Sequence, residues 1–362
     1  MAPPTHLPQT RVAAFDRLES LTDPAALSTV VGAISNVERV SGSEAPSGFS
    51  NSRHESIRIT LRDGSRIRLR LKRMHIGEDW LARRAREDPP GREVSLLSEP
   101  SLAAVWACFT RAHLAYAVEG SEVGLLMEDL TDSFPPDVRE PIPVDTEDAL
   151  LDAIAAMHAR FWESPALELP WLAKPEWCCD FLGPLQAGDE AALRGAPQSI
   201  RNGVTNGWRE ALRLLPAEAG AKLTQSADRL WLAWSDLPKT LIHGDTKVAN
   251  FAFVENRGVA AFDWSRLGAA PCTVDLGWYL AVNSTRLARG KDELIARYRE
   301  LLESKLGRTL DGALWERMVE AGVVSGARML LWSKALARQD GTASRLADWD
   351  WWAARLARWG AK

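Results

Sequence analysis

Apolar positions change their spacing part-way along the chain, near residue 145. Before that point alternation dominates. Ile57, Ile59 and Leu61 are separated by Arg58 and Thr60, the two-residue period of a strand. Arg62-Asp63-Gly64-Ser65 follows, and Asp-Gly between alternating runs predicts a hairpin. The return strand, Ile67 to Lys72, places Ile67, Leu69 and Leu71 on one face and Arg68, Arg70 and Lys72 on the other. Leu114 to Val118 and Val123 to Met127 predict two more strands around Glu119-Gly120-Ser121-Glu122. Gly91 to Ser98 reads as a short helix carrying Glu93, and residues 11–35 show a helical apolar pattern behind a Pro- and Thr-rich tail, residues 1–10. Residues 41–51 form a Gly/Ser/Pro loop ending in Ser50-Asn51.

After residue 145 the helical period takes over, first in an amphipathic stretch from Ala149 to Trp162. One interruption stands out. A short apolar run, Thr240 to Ile242, leads into His243-Gly244-Asp245, and Phe251 to Val254 and Val259 to Phe262 flank Glu255-Asn256-Arg257-Gly258 as a small hairpin. From Asp275 onward the pattern is helical to the end. The expected fold class is α+β: a small β-rich lobe, a connector near residue 130, and a larger, mainly helical lobe.

At 362 residues the chain suits two lobes or one large domain. Its charge of −4 shows no basic surplus, so nucleic acid is not an expected partner. No run reaches the length of a membrane span, so no membrane partner is expected either. The first ten residues lack the apolar core of a signal peptide. None of the four cysteines, Cys108, Cys178, Cys179 and Cys272, forms a CxxC pair, which argues against zinc and disulfides and for a reduced, cytoplasmic protein. The sequence carries 16 Trp, a residue that buries a large area, so Trp349, Trp351, Trp352 and Trp359 are expected in the core rather than in a ligand pocket.

The chemistry concentrates in His243-Gly244-Asp245-Thr246-Lys247-Val248-Ala249-Asn250, followed thirteen residues after Asn250 by Asp263-Trp264. Asp245, Asn250 and Asp263 offer hard oxygen ligands and a carboxylate base. Mg²⁺ takes such oxygens while keeping positions for phosphates and water. A hairpin between Asn250 and Asp263 returns both to one edge, and Asp245 then faces an incoming hydroxyl. Metal clamps plus an aligning base are what phosphoryl transfer needs.

The pattern HGDxxxxN followed by FDW resembles the aminoglycoside phosphotransferase and choline kinase-like family, a small-molecule branch of the protein kinase-like fold. Gly48-Phe49-Ser50-Asn51 resembles that family's phosphate loop, Leu71-Lys72 its strand lysine, Arg92-Glu93 its helix glutamate and Leu126 to Leu130 its hinge, which includes Glu128. Residues 154–162 resemble its LAxLHAxFW helix, and Asp275-Leu276-Gly277 the segment after the metal aspartate.

The resemblance implies a two-lobed fold, with residues 1–35 a tail and helix, residues 36–130 the nucleotide-binding lobe and residues 131–362 the lobe of the catalytic loop and substrate helices. It implies an ATP- and Mg²⁺-dependent phosphotransferase acting on a hydroxyl of a small molecule such as an antibiotic, a sugar or an amino alcohol. Asp245 would orient the hydroxyl and accept its proton. Lys247 would neutralise charge on the transferred group. Asn250 and Asp263 would hold Mg²⁺. Lys72, paired with Glu93, would contact the phosphates, and Ser50, Asn51 and Glu128 would complete the nucleotide site. Arg70 shares the strand face of Lys72 and competes for its role.

Other readings stay beside these. A protein Ser/Thr kinase would use the same loop, but Asp263 to Asp275 spans only twelve residues, too few for a long activation segment. A non-catalytic nucleotide-binding scaffold would not need all three polar residues. His243 and His158 are expected to be hydrogen-bonded core groups, Asp275 a support of the catalytic loop or a helix cap, and residues 83–88 a solvated charged face. Residues 130–362 hold 31 acidic and 28 basic residues, a surplus too small to favour a polycationic acceptor.

Overall fold

The computed structural model describes residues 11–40, 50–135 and 140–362. The chain divides into two compact units, Met1–Ser133 and Phe134–Lys362.

The first unit is built on a six-stranded sheet. Its elements are β1 (Ala13–Phe15), α1 (Pro24–Val31), β2 (Ile34–Val40), β3 (Arg53–Leu61), β4 (Arg66–His75), α2 (Trp80–Arg84), α3 (Arg92–Ser98), β5 (His113–Glu119) and β6 (Glu122–Glu128). The sheet order is β1-β5-β6-β4-β3-β2, with β1 parallel to β5 and the other neighbours antiparallel. The Asp-Gly hairpin forms as its sequence predicts: Gly64 takes φ +84°, and the Ser65 amide donates to Asp63 Oδ1 at 2.8 Å. Ile57, Ile59, Ile67, Leu69 and Leu71 then share one buried face with Leu18, Leu21, Leu27, Val31, Ala115, Ala117 and Leu126.

Residues 11–35 depart from the helical expectation. Only Pro24–Val31 is α-helix, started by Asp23, whose carboxylate accepts the Ala26 amide, with Pro24 at the first position. Ala13–Phe15 is instead a strand, because β5, a hundred residues further on, supplies its partner. Local periodicity carries no trace of such a pairing.

The second unit is mainly helical. Its helices are α4 (Val144–Arg160), α5 (Pro175–Cys178), α6 (Gln198–Leu214), α7 (Ala217–Leu223), α8 (Ala227–Leu232), α9 (Thr273–Val282), α10 (Lys291–Leu306), α11 (Gly312–Ala337) and α12 (Ala343–Gly360). Two small antiparallel pairs interrupt them: β7 (Thr240–Ile242) with β10 (Gly268–Ala270), and β8 (Phe251–Val254) with β9 (Gly258–Ala261). Helix α11 is largely buried and packs on α6 and α9. On the α9 side the backbones nearly touch. A Cβ on Gly277 would sit 1.9 Å from the Gly322 carbonyl, and one on Gly322 would sit 2.0 Å from the Thr273 carbonyl. Only glycine fits that seam. Trp349, Trp352 and Trp359 are buried, as core residues should be, while Trp351 is half-exposed and donates to Asp292.

Candidate functional site

The segment after β7 is fixed by one carboxylate. Asp275, in the first turn of α9 and 1% exposed, accepts the amide of His243 at 2.7 Å and that of Gly244 at 2.8 Å. His158 Nε2 lies 3.1 Å from the same carboxylate and Thr246 Oγ1 donates to the Asp275 carbonyl, so α4, α9 and the loop are tied at one point. Asp275 is thus a support of the loop rather than a helix cap. Asn283, at the end of α9, accepts the Val248 amide and donates to the Thr246 carbonyl. Gly244 holds φ +81° with the Arg266 carbonyl 2.2 Å from where a Cβ would stand. The turn that aims Asp245 therefore requires glycine.

His243 is fully buried between the rings of Phe251 and Trp264. It accepts the Asp245 amide on Nδ1, and Nε2 faces the Phe262 carbonyl at 3.0 Å. Those bonds define a neutral ring with its proton on Nε2. Burial keeps its pKa below the ordinary value, against the pull of Asp275, Asp245 and Asp263. It is a structural group.

Asp245 is 8% exposed. Trp278 Nε1 donates to its Oδ1 at 2.7 Å, Lys247 Nζ lies 3.4 Å from Oδ2, and Arg266 Nη1 lies 3.9 Å from Oδ1. Burial pushes this carboxyl up, but Lys247, Arg266 and the Trp278 bond outweigh it and hold it below its ordinary value. Lys247 is in turn raised, chiefly by Asp245. The pair is ionised at neutral pH: a carboxylate base beside a fixed cation.

Asn250 is buried next to β8 and donates from Nδ2 to the Asp245 carbonyl at 2.9 Å. That bond leaves its side-chain oxygen for another partner. Asp263 follows β9 in a left-handed conformation, φ 61° and ψ 60°, which costs a non-glycine residue about 1–2 kcal/mol. Strain of this kind collects where a side chain must be aimed. The structure thus gathers Asp245, Lys247 and Asn250 around one loop, and the Asp263 charge acts on Asp245 and Lys247.

In the first unit, Lys72 of β4 and Glu93 of α3 form a buried pair at 2.9 Å, and His113 Nε2 lies 3.0 Å from the other Glu93 oxygen. Arg70 instead donates to the Ser56 hydroxyl. Ser50 and Asn51 are gathered by Asp79, which accepts the Ser50 hydroxyl at 3.1 Å and the Asn51 amide at 2.8 Å. Gly48 and Phe49 lie outside the described residues. Glu128 closes β6, its amide donating to Ala112. The charged run 83–88 is not wholly solvated: Glu87 is buried and accepts the Arg92 amide at the start of α3.

Sequence reasoning did not single out Trp278, Arg266, Asn283, His113 or Asp79. Position alone marks two of them, Trp278 three residues after Asp275 and Arg266 three after Asp263.

No curated protein matches the chain. Solved structures with a similar course include an aminoglycoside phosphotransferase from Alicyclobacillus acidocaldarius, at 15% identity, 91% of each chain covered and a TM-score of 0.45. A choline kinase from Streptococcus pneumoniae is 11% identical, over 92% of this chain and 97% of that one, with a TM-score of 0.46. A microcompartment-associated aminopropanol kinase is 15% identical, over 92% and 94%, with a TM-score of 0.49. Among the described residues no helix is long and apolar enough to cross a membrane. The model of the phosphotransferase enzyme family, APH, matches residues 61–318, more than half of the chain, and the chain therefore belongs to that family.

Proposed function

We propose that the chain transfers the γ-phosphate of ATP to a hydroxyl of a small molecule, with Asp245 as the base. The observation that carries this reading is the state of Asp245: a buried, ionised carboxylate, aimed by the Trp278 N–H, on a loop whose amides are bound by Asp275. Such a group orients an alcohol and accepts its proton as the bond to phosphorus forms. Lys247, 3.4 Å away, offsets charge on the transferred group.

The donor set fits Mg²⁺. Asp263 is a carboxylate, and Asn250, its amide nitrogen committed to the Asp245 carbonyl, would offer the cation a hard oxygen. Bound Mg²⁺ would supply neutralisation of phosphate charge. In the first unit the proposal gives Lys72 the α- and β-phosphates, with Glu93 and His113 holding it in place. Ser50, Asn51 and Glu128 border the nucleotide.

The test is ADP release with Mg-ATP and a panel of alcohols. Asp245→Asn should lower kcat by about 10²–10⁴-fold while Mg²⁺-dependent ATP binding survives. Asp263→Asn should remove most of the Mg²⁺ contribution to ATP affinity in calorimetry. If Asp245→Asn loses that contribution and Asp263→Asn keeps it, the two roles must be exchanged.

A further inference from the structure

Beside Asp245 lies a second cation, Arg266. It is 9% exposed and stacked between two aromatic rings, its Cζ 5.1 Å from the Phe181 centroid and 4.9 Å from that of Trp278. A guanidinium carries five N–H donors in a rigid fork. The polar partners of this one are the Cys178 carbonyl at 3.4 Å, the Met329 sulfur at 3.8 Å and Asp245 Oδ1 at 3.9 Å. All are longer than a strong hydrogen bond. A nine-tenths-buried fork therefore has donor capacity left for an oxygen from outside the chain, next to the carboxylate that handles the acceptor hydroxyl.

The anions of the same unit are already answered. Among the described residues its buried carboxylates are Glu147, Asp245, Asp275 and Asp348. Glu147 pairs with Arg289, Asp348 with Lys291 and Lys334, and Asp275 with two loop amides and His158. Asp245 itself faces Lys247 and Arg266. An ammonium brought to this place would meet two cations, and the remaining acid of the loop region, Asp263, is the proposed metal ligand. Burying a charge without a partner is strongly unfavourable.

We propose that Arg266 determines acceptor specificity. The acceptor is an alcohol that presents an oxygen to the guanidinium, in the strongest case the carboxylate of a hydroxy acid, and amino alcohols and aminoglycosides are rejected. The inference rests on the phosphotransfer reading above and narrows its substrate class.

Matched skeletons test it. Glycerate, glycerol and 3-aminopropane-1,2-diol form one set, and gluconate, glucose and glucosamine another, with kanamycin as the polycation. Each is assayed with Mg-ATP for ADP release, with Asp245→Asn as the control for authentic transfer. Within a set the ammonium member should fall at least tenfold below the carboxylate or neutral member in kcat/KM. Arg266→Gln should raise KM for the best acceptor tenfold or more, change kcat far less, and shrink the gap to the ammonium member. Arg266→Lys should restore part of the affinity, which a merely structural role would not predict. Should Arg266→Gln fail to fold, the wild-type order within the sets decides. An ammonium compound as best acceptor, with its turnover lost in Asp245→Asn, overturns the inference and leaves phosphotransfer standing. A panel that gives no Asp245-dependent ADP release removes the phosphotransfer reading, and the inference with it.

Discussion

Replacing Asp275 by asparagine exchanges one oxygen for an NH₂ and should disable the loop it holds. In the native protein both carboxylate oxygens are used: Oδ1 accepts the Gly244 amide at 2.8 Å, and Oδ2 accepts the His243 amide at 2.7 Å with His158 Nε2 at 3.1 Å. Asparagine keeps one acceptor oxygen and turns an NH₂ toward the other amide. At least one buried N–H is orphaned and a donor faces a donor. A buried unsatisfied group costs about 1–3 kcal/mol, and bonds to a charged acceptor lie at the upper end, so the loss should be about 2–4 kcal/mol. For a unit of this size ~2–4 °C of midpoint corresponds to 1 kcal/mol, which gives a fall of about 4–16 °C in scanning calorimetry. Turnover should fall as well, because the amides of His243 and Gly244 aim Asp245. A midpoint within 1 °C of the parent, with activity intact, would refute the reasoning: the Thr246 bond to the Asp275 carbonyl, Asn283 and the β7–β10 pair would then suffice to hold the loop.

Lys72→Met should raise the KM for ATP at least tenfold, and it should also lower the thermal midpoint, because it removes the ammonium paired with the buried Glu93 carboxylate at 2.9 Å. Arg70→Ala, which removes the donor to the Ser56 hydroxyl, should do neither, and the reverse ranking in nucleotide titrations would reassign the phosphate contact. Burial pushes the Cys179 thiol up to about 11 and Cys272 up to about 12, so neither should react with a thiol reagent at pH 8 in the native protein, and labelling should be confined to half-buried Cys108 until denaturant is added. His243 has its pKa lowered by burial, so below its ordinary 6.5 the unfolded chain takes up a proton that the folded chain refuses. Stability should therefore fall as pH drops from 6.5, and His243→Gln should flatten that limb in pH-dependent unfolding.

The sequence showed the hairpins plainly, because alternation around Asp63-Gly64 and Gly120 is local. It hid β1, whose partner lies in β5, and β10, whose Gly-Ala-Ala has no strand preference and pairs only because β7 runs beside it. The loop from His243 to Asn250 stood out because packing alone gives its polar residues no reason to keep that spacing, and the structure gathers Asp245, Lys247 and Asn250 on it. The surroundings of Asp245 could not. Trp278 looks like any core tryptophan until its N–H is seen on the carboxylate, and Arg266 like any basic residue until its burial is seen.

The glycine seam between α9 and α11 has a consequence for how such a protein can change. With backbones nearly in contact at Gly277 and Gly322, neither helix has a side-chain layer that substitutions could thin or thicken. The seam acts as a fixed datum, and Asp275, Trp278 and Asn283 are measured from it. Arg266, with its guanidinium over the Phe181 ring, by contrast approaches Asp245 from a segment outside the two helices. Drift in what the protein accepts can accumulate there one residue at a time, while the part that performs the transfer keeps its dimensions. A directed-evolution library confined to positions 181 and 266 samples new acceptors without altering the residues of that frame.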